Sequence, residues 1–229
     1  IFCKALLICF FAVVIVGGCS AFGVISGIIA SAPSIEDIDA TPTGYLTTVL
    51  DNQGNQTATL VASGSNRKYV TINEIPINLQ HAFVAIEDER FYDHNGIDLQ
   101  GILRAGLKGV ASGFHFSEGA STITQQLLKN TVFTQWTSEQ SMADKFERKF
   151  QEQYLALQLE KVVDKDWILE NYLNAINLGQ NTLGVGVASE RYFGKDVSDL
   201  TLSECAVLAA ITQSPSYYNP ITHPDHNKE

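Results

Sequence analysis

The stretch INLQHAFVAIED, residues 77–88, decides how the chain is read. Leu79, Phe83 and Ile86 fall on one face of a 3.6-residue period, so the spacing predicts a helix directly after Pro76. Everything beyond that proline has the same helical character. Helices are predicted over residues 99–110, 121–130, 138–163, 166–178 and 202–213. Thr201 with Glu204 has the spacing of a capping box for the last of these, and Pro215 lies past its end. Gly179 sits where the fourth should stop.

Upstream of Pro76 the pattern changes. Residues 45–50 and 57–61 are β-prone and flank Asp51-Asn52-Gln53-Gly54-Asn55, which reads as a hairpin loop. Residues 68–72 are expected to add a short strand. The connector at 31–42 is polar and contains proline.

The N-terminal run, residues 5–30, carries no charge and covers roughly 26 residues, against about 20 needed to cross a bilayer. A cleavable signal has a shorter apolar core, and the Val16-Gly17-Gly18-Cys19 sequence, which looks like a lipoprotein cleavage box, is followed by continued apolarity through Phe22, Val24, Ile25, Ile28 and Ile29. An uncleaved anchor is the better reading. Lys4 before the span and Glu36, Asp37 and Asp39 after it put the N-terminus in the cytoplasm and the body outside.

With 229 residues, 45% of them hydrophobic, the chain can fill one sizeable core, and its formal net charge of −10 argues against nucleic acid as a partner. Cys3, Cys9 and Cys19 lie in the apolar run and only Cys205 lies in the body, so no disulfide framework is expected. No Cys/His spacing resembles a zinc site. The five histidines are scattered.

Four constellations carry chemistry. Glu87, Asp88 and Glu89 stand at the C-terminal end of an apolar helix, where the dipole disfavours negative charge, an environment suited to a general base. The bland alternative is a solvated helix end paired locally to Arg90. Next, the run of residues 118–130, EGASTITQQLLKN, places Gly119, Ser121 and Thr122 at a helix N-terminus, a ready anion site; Thr122 and Gln125 also suit an ordinary cap. Third, Lys145, Arg148, Lys149 and Glu152 project within an arc of about 100°, a cationic face suited to a diphosphate, while Phe146, Phe150 and Leu157 form a separate apolar stripe. Last, Glu170 and Asn174 share one helix face opposite Leu169, Tyr172, Leu173 and Ile176 and are expected to buttress a neighbouring loop.

Taken in order, these segments resemble the signature motifs of the peptidoglycan glycosyltransferase family. Glu87-Asp88 with Phe91, His94 and Gly96 is similar to the first, and Gly119 through Gln126 with Lys129 to the second. Arg148-Lys149 with Glu152 resembles the third and residues 168–174 the fourth. Arg191-Tyr192-Phe193-Gly194-Lys195 with the 201–215 helix resembles the fifth. The resemblance spans residues 75–220, and the preceding anchor and linker fit class A penicillin-binding proteins. Ile176-Asn177-Leu178 departs from the aromatics that many relatives carry.

The resemblance implies a mainly α, lysozyme-like helical glycosyltransferase domain with a membrane-associated smaller lobe, behind a single transmembrane helix and a small β-containing linker. The divisions are 1–31 anchor, 32–74 linker, 75–220 glycosyltransferase domain and 221–229 the start of a connector to a transpeptidase domain. It implies polymerisation of lipid II onto a growing lipid-linked glycan chain at the cytoplasmic membrane, with inversion to a β-1,4 bond and loss of undecaprenyl diphosphate. Proteins of a cell-wall synthesis complex are further partners. Glu87 would be the general base, and Glu152 would orient the cations or the donor sugar. Lys129, Arg148 and Lys149 would neutralise the diphosphate. Ser121, Thr122, Gln125 and Gln126 would line the donor side, with Asp88, Phe91 and His94 also in contact with substrate and Glu170 and Asn174 behind them. A divalent ion, Mg or Mn, on the donor diphosphate is compatible with this reading, although the sequence shows no dedicated metal cage and points to no other cofactor.

A lytic, lysozyme-like hydrolase would need a proton-donating acid where this chain offers Lys129, Arg148 and Lys149. A non-enzymatic cell-wall scaffold would leave Glu87 and the cations without a joint purpose. Ser65-Asn66-Arg67-Lys68 has the spacing of a penicillin-binding nucleophile but lies in the linker without companion motifs. Phe114 and Phe116, in a Gly/Ser-rich loop, are expected to dip into the membrane surface.

Overall fold

The computed structural model describes residues 2–62, 64–113 and 119–226. The chain begins with α1 (Phe2–Ala30), followed by a hairpin of β1 (Thr47–Leu50) and β2 (Gln56–Leu60). The body holds α2 (Ile77–Glu87), α3 (Leu99–Ala111), α4 (Ile123–Thr131), α5 (Met142–Leu159), α6 (Lys165–Ala175), α7 (Val185–Phe193) and α8 (Leu202–Ile211). The fold is mainly helical, as expected. Among the described residues α1 is the one helix long and apolar enough to cross a membrane.

The hairpin pairs Thr47 with Leu60 and Val49 with Ala58, and slips register between Val49 and Leu50. Asp51 closes its loop by accepting from the amides of Gln53 and Asn55 at 2.8 Å each. Both strands are exposed along their full length. The expected strand at 68–72 does not form. That segment is held by side chains instead: Asn174 accepts from the Val70 amide at 2.9 Å and donates to the Val70 carbonyl at 2.8 Å. Glu170 accepts from the Ile72 amide at 2.5 Å and from the Tyr69 hydroxyl.

The core forms where α2 packs on α8 and α4 packs on α5 and α6. Leu79, Phe83, Ile123, Leu127, Leu155, Ile168, Leu169, Tyr172 and Leu208 are fully buried there, and each large apolar side chain removed from water contributes roughly 1.5–3 kcal/mol. The period that predicts α2 places Leu79 and Phe83 inward, but Ile86 is exposed, because the helix ends one residue later and its last turn rises out of the core.

The helices differ from expectation in several places. Ser141 caps α5 by accepting from the Ala143 amide, so residues 134–138 form a separate 3₁₀ turn. Helix α6 ends at Ala175, before Gly179, because Ile176 turns extended and its carbonyl accepts from Gly184 at 2.7 Å. Helix α7 was not anticipated; Gly184 and Gly194 bracket it, both at positive φ. At Gly184 a Cβ would lie 2.7 Å from the Asn174 carbonyl oxygen, so this entry requires glycine. The Thr201–Glu204 capping box forms as expected.

The apolar stripe on α5 also faces differently. Gln151, Glu152, Leu155 and Ala156 turn inward, while Phe146 is exposed and packs against Phe150 in a tilted arrangement with ring centroids 4.6 Å apart. The inward face meets the end of α1: Gln151 donates to the Ser31 hydroxyl at 3.0 Å. On α3, Leu99, Leu103, Leu107 and Val110 form an exposed apolar stripe. Phe114 and Phe116, and Glu118 at the start of the second constellation, lie outside the described residues.

Candidate active site

Glu87 is the last residue of α2 and opens into a cleft of about 310 Å³ that it lines with Gly119, Ser121, Gln126, Lys129, Thr212 and Gln213. Gln126 donates to one carboxylate oxygen at 2.7 Å; Thr212, and Gln213 at 3.3 Å, donate to the other. Three donors from α4 and the end of α8 thus fix the carboxylate. Thr212 and Gln213 were missed as site residues, although they lie at the end of the helix that carries the fifth motif.

Asp88 turns the other way. Its carboxylate accepts from His94 Nε2 at 2.9 and 3.0 Å and from the Ile123 amide at 2.9 Å. The N-terminus of α4 is therefore already served: Asp88 takes the Ile123 amide, and the Thr122 hydroxyl takes the Gln125 amide at 3.2 Å. The free anion site expected there is filled by the protein's own carboxylate, placed where a helix dipole favours negative charge.

Phe91 is fully buried, edge-on to His94, under the Lys165 ammonium at 4.4 Å. Thr122 and Gln125 are buried as well and both donate to the Gly96 carbonyl, at 2.8 and 3.2 Å. Gly96 sits at φ +91, and a Cβ there would lie 2.6 Å from the Ala156 carbonyl. Phe91, His94, Thr122 and Gln125 therefore brace the 88–98 loop against α4 and α5 rather than face the cleft. Arg90 and Asp98 close that loop with a 2.5 Å ion pair, which holds the Asp98 carboxyl below its usual range.

The cations come from α4 and α5. Lys149 donates to Ser121 at 2.7 Å, to Gln125 at 3.3 Å and to Glu152 at 3.1 Å. Arg148 binds Glu152, and Glu139 at 2.7 Å. Glu152 is fully buried between the two cations. Breaking such a buried pair leaves an uncompensated charge, which costs far more than the pair's net worth. Lys129 makes no ion pair among the described residues; its ammonium lies 4.6 Å from the centre of the Trp136 ring. Burial, together with the Lys149 and Arg148 charges, pushes its pKa down against the opposing pull of Glu152 and Glu87. Lys145, the fourth member of the expected cationic face, stays exposed. Glu139 and Trp136 were not anticipated.

Tyr172 is wholly buried behind the carboxylates, edge-on to Phe83 at 6.2 Å, and its hydroxyl has no hydrogen-bond partner among the described residues. Burial and the charges of Glu87 and Asp88 raise its pKa well above the usual phenol value. Ahead of α2, Ser65 donates to the Ala62 carbonyl and Lys68 pairs with Glu190 at 2.5 Å, so these two are engaged elsewhere. No three His, Cys, Asp or Glu side chains converge to hold a metal ion among the described residues.

The family description "Transglycosylase" matches residues 53–229. The chain is 46% identical over 206 residues to penicillin-binding protein 1A of Clostridium perfringens (strain 13 / Type A), covering 88% of this chain and 29% of that protein. It is 47% identical over 182 residues to penicillin-binding protein 1F of Bacillus subtilis (strain 168), covering 79% of this chain and 24% of that protein. With penicillin-binding protein 1A of Clostridium acetobutylicum it shares 41% over 225 residues, 96% of this chain and 27% of that protein. The chain belongs to the transglycosylase family, the lysozyme-like peptidoglycan glycosyltransferase module of class A penicillin-binding proteins. It spans about a quarter of the length of the curated relatives it matches, 24–29%.

Proposed function

We propose that this module polymerises lipid II into β-1,4-linked glycan strands, adding each disaccharide to a lipid-linked chain with inversion and release of undecaprenyl diphosphate. The observation that carries the reading is that a carboxylate, Glu87, and an ammonium with no ion pair among the described residues, Lys129, line one cleft. In this reading the acceptor's 4-hydroxyl oxygen bonds to the donor's anomeric carbon while its proton passes to Glu87. The bond from that carbon to the diphosphate breaks, and the electron pair leaves with the diphosphate. Lys129, Arg148 and Lys149 stabilise the charge that develops there, a leaving group that needs no proton.

Ser121 and Gln126 contact the donor side. Glu152 holds Arg148 and Lys149 in place, and Asp88, Phe91, His94, Thr122 and Gln125 act through the loop they brace. Glu170 and Asn174 tie the 69–72 segment to α6. Neutralisation of the diphosphate is assigned to these side chains, together with a divalent ion, Mg or Mn, carried on the diphosphate itself.

Residues 1–31 are read as a single-pass anchor with the N-terminus cytoplasmic, 32–74 as the linker, 75–220 as an extracytoplasmic catalytic domain and 221–229 as the start of a connector. The exposed stripe of Leu99, Leu103, Leu107 and Val110, with exposed Phe146 on α5, supports a small lobe resting on the membrane. Proteins of a cell-wall synthesis complex are the proposed partners.

The test is polymerisation of fluorescent lipid II by the detergent-solubilised chain. Wild type should give glycan ladders and Glu87→Gln none. Absence of polymer from wild type, with shortening of added peptidoglycan, would replace the reading with a hydrolase.

A further inference from the structure

Two of the three proposed diphosphate cations are held by one short segment, the 3₁₀ turn Thr134–Ser138 and the residue after it. Glu139 takes Arg148 through a carboxylate. Trp136 takes Lys129 through its ring face, 4.6 Å from the ammonium. The turn is tied to α4 by the Phe133 amide donating to the Leu128 carbonyl at 3.1 Å, one residue before Lys129, and by the Trp136 amide donating to the Phe133 carbonyl at 3.0 Å. The ring is thus mounted on the same helix end as the lysine it faces.

The two ways of holding a cation differ in what an incoming anion meets. Arg148 and Lys149 share the buried Glu152, so a diphosphate approaching them feels that carboxylate as well. A ring quadrupole attracts an ammonium without presenting a negative charge to the ligand. Burial disfavours the charged form of half-buried Lys129, and the Lys149 and Arg148 charges oppose the pull of Glu152 and Glu87 on it. We infer that Trp136 is a positioning residue that holds Lys129 in the cleft through its ring rather than through an ion pair, so that the ammonium is offered to the diphosphate. This rests on the transferase reading above.

The experiment replaces Trp136 site-specifically with mono-, di- and trifluorotryptophan, leaving Trp167 untouched, and measures kcat/KM on fluorescent lipid II. Fluorine weakens the ring's attraction for a cation while barely changing its shape. Log kcat/KM should fall stepwise with fluorine number. Trp136→Leu should lose roughly three- to tenfold, the range of a partly desolvated cation–π contact, and Trp136→Phe should recover part of it. Polymerisation by wild type with fluorinated proteins indistinguishable from it overturns the inference and leaves the transferase standing. No polymer from wild type overturns the transferase, and the inference with it.

Discussion

Asp88 and Ile123 are joined by a 2.9 Å hydrogen bond from the Ile123 amide to the Asp88 carboxylate, which docks the end of α2 on the start of α4. That single contact sets the geometry of the proposed site. It leaves the neighbouring Glu87 directed at Gln126, three residues into the same helix.

Asp88→Asn keeps an oxygen for the amide but loses the charge and the pairing with His94. A buried charged acceptor lost in this way costs about 1–3 kcal/mol, and the melting temperature should fall by about 3–8 °C. Thermal denaturation in detergent followed by circular dichroism measures it. An unchanged melt would mean that another group anchors α4.

Glu152→Gln should cost about 1–3 kcal/mol, because Lys149 loses its carboxylate partner and Arg148 is left with Glu139 alone. Adding Lys149→Met should restore part of the stability and none of the polymerisation. Recovery of activity in the double variant would remove Lys149 from the proposed diphosphate site.

Tyr172→Phe removes a buried hydroxyl that has no partner among the described residues, so the fold should be as stable as wild type or more so, by up to about 1 kcal/mol. A melting temperature lowered by several degrees would show that the hydroxyl is engaged in solution.

Lys129 gives a pH signature. Its pKa in the folded chain lies below that of an ordinary lysine, so between the two values the unfolded chain binds more protons and stability rises with pH. Below the folded value the ammonium is charged in both states and its burial cost is constant. Lys129→Met should therefore flatten this alkaline rise, raise the melting temperature at neutral pH and abolish polymerisation. Melts across neutral to alkaline pH, alongside lipid II assays, check all three. A variant less stable than wild type at neutral pH would contradict the burial cost.

Much of this was legible in one dimension. Helical periodicity marks α2 and α3, and Thr201 with Glu204 three residues on marks the start of α8. Glu87, Lys129, Arg148 and Lys149 stand out because acids at a helix end and a cationic helix face are local patterns. What was not legible is which of two faces turns inward. Phe146 is apolar and exposed while Glu152 is charged and fully buried, since two cations and a neighbouring helix supply the burial that hydrophobicity alone would not. Helix α7 escaped because its limits are written in two glycines rather than in a strong apolar period.

By itself the amino-acid order determined the class of fold, the membrane-length apolar run and the types of side chain available for chemistry, because these depend on spacing within a few turns of one segment. Only the tertiary structure decided their employment. Asp88 fills the helix N-terminus that looked open to phosphate, Thr212 and Gln213 cross from α8 to hold Glu87, and Trp136 rather than a carboxylate faces Lys129. Each of these is a contact between groups brought together by packing, and its strength depends on distance and burial that spacing along the chain does not encode.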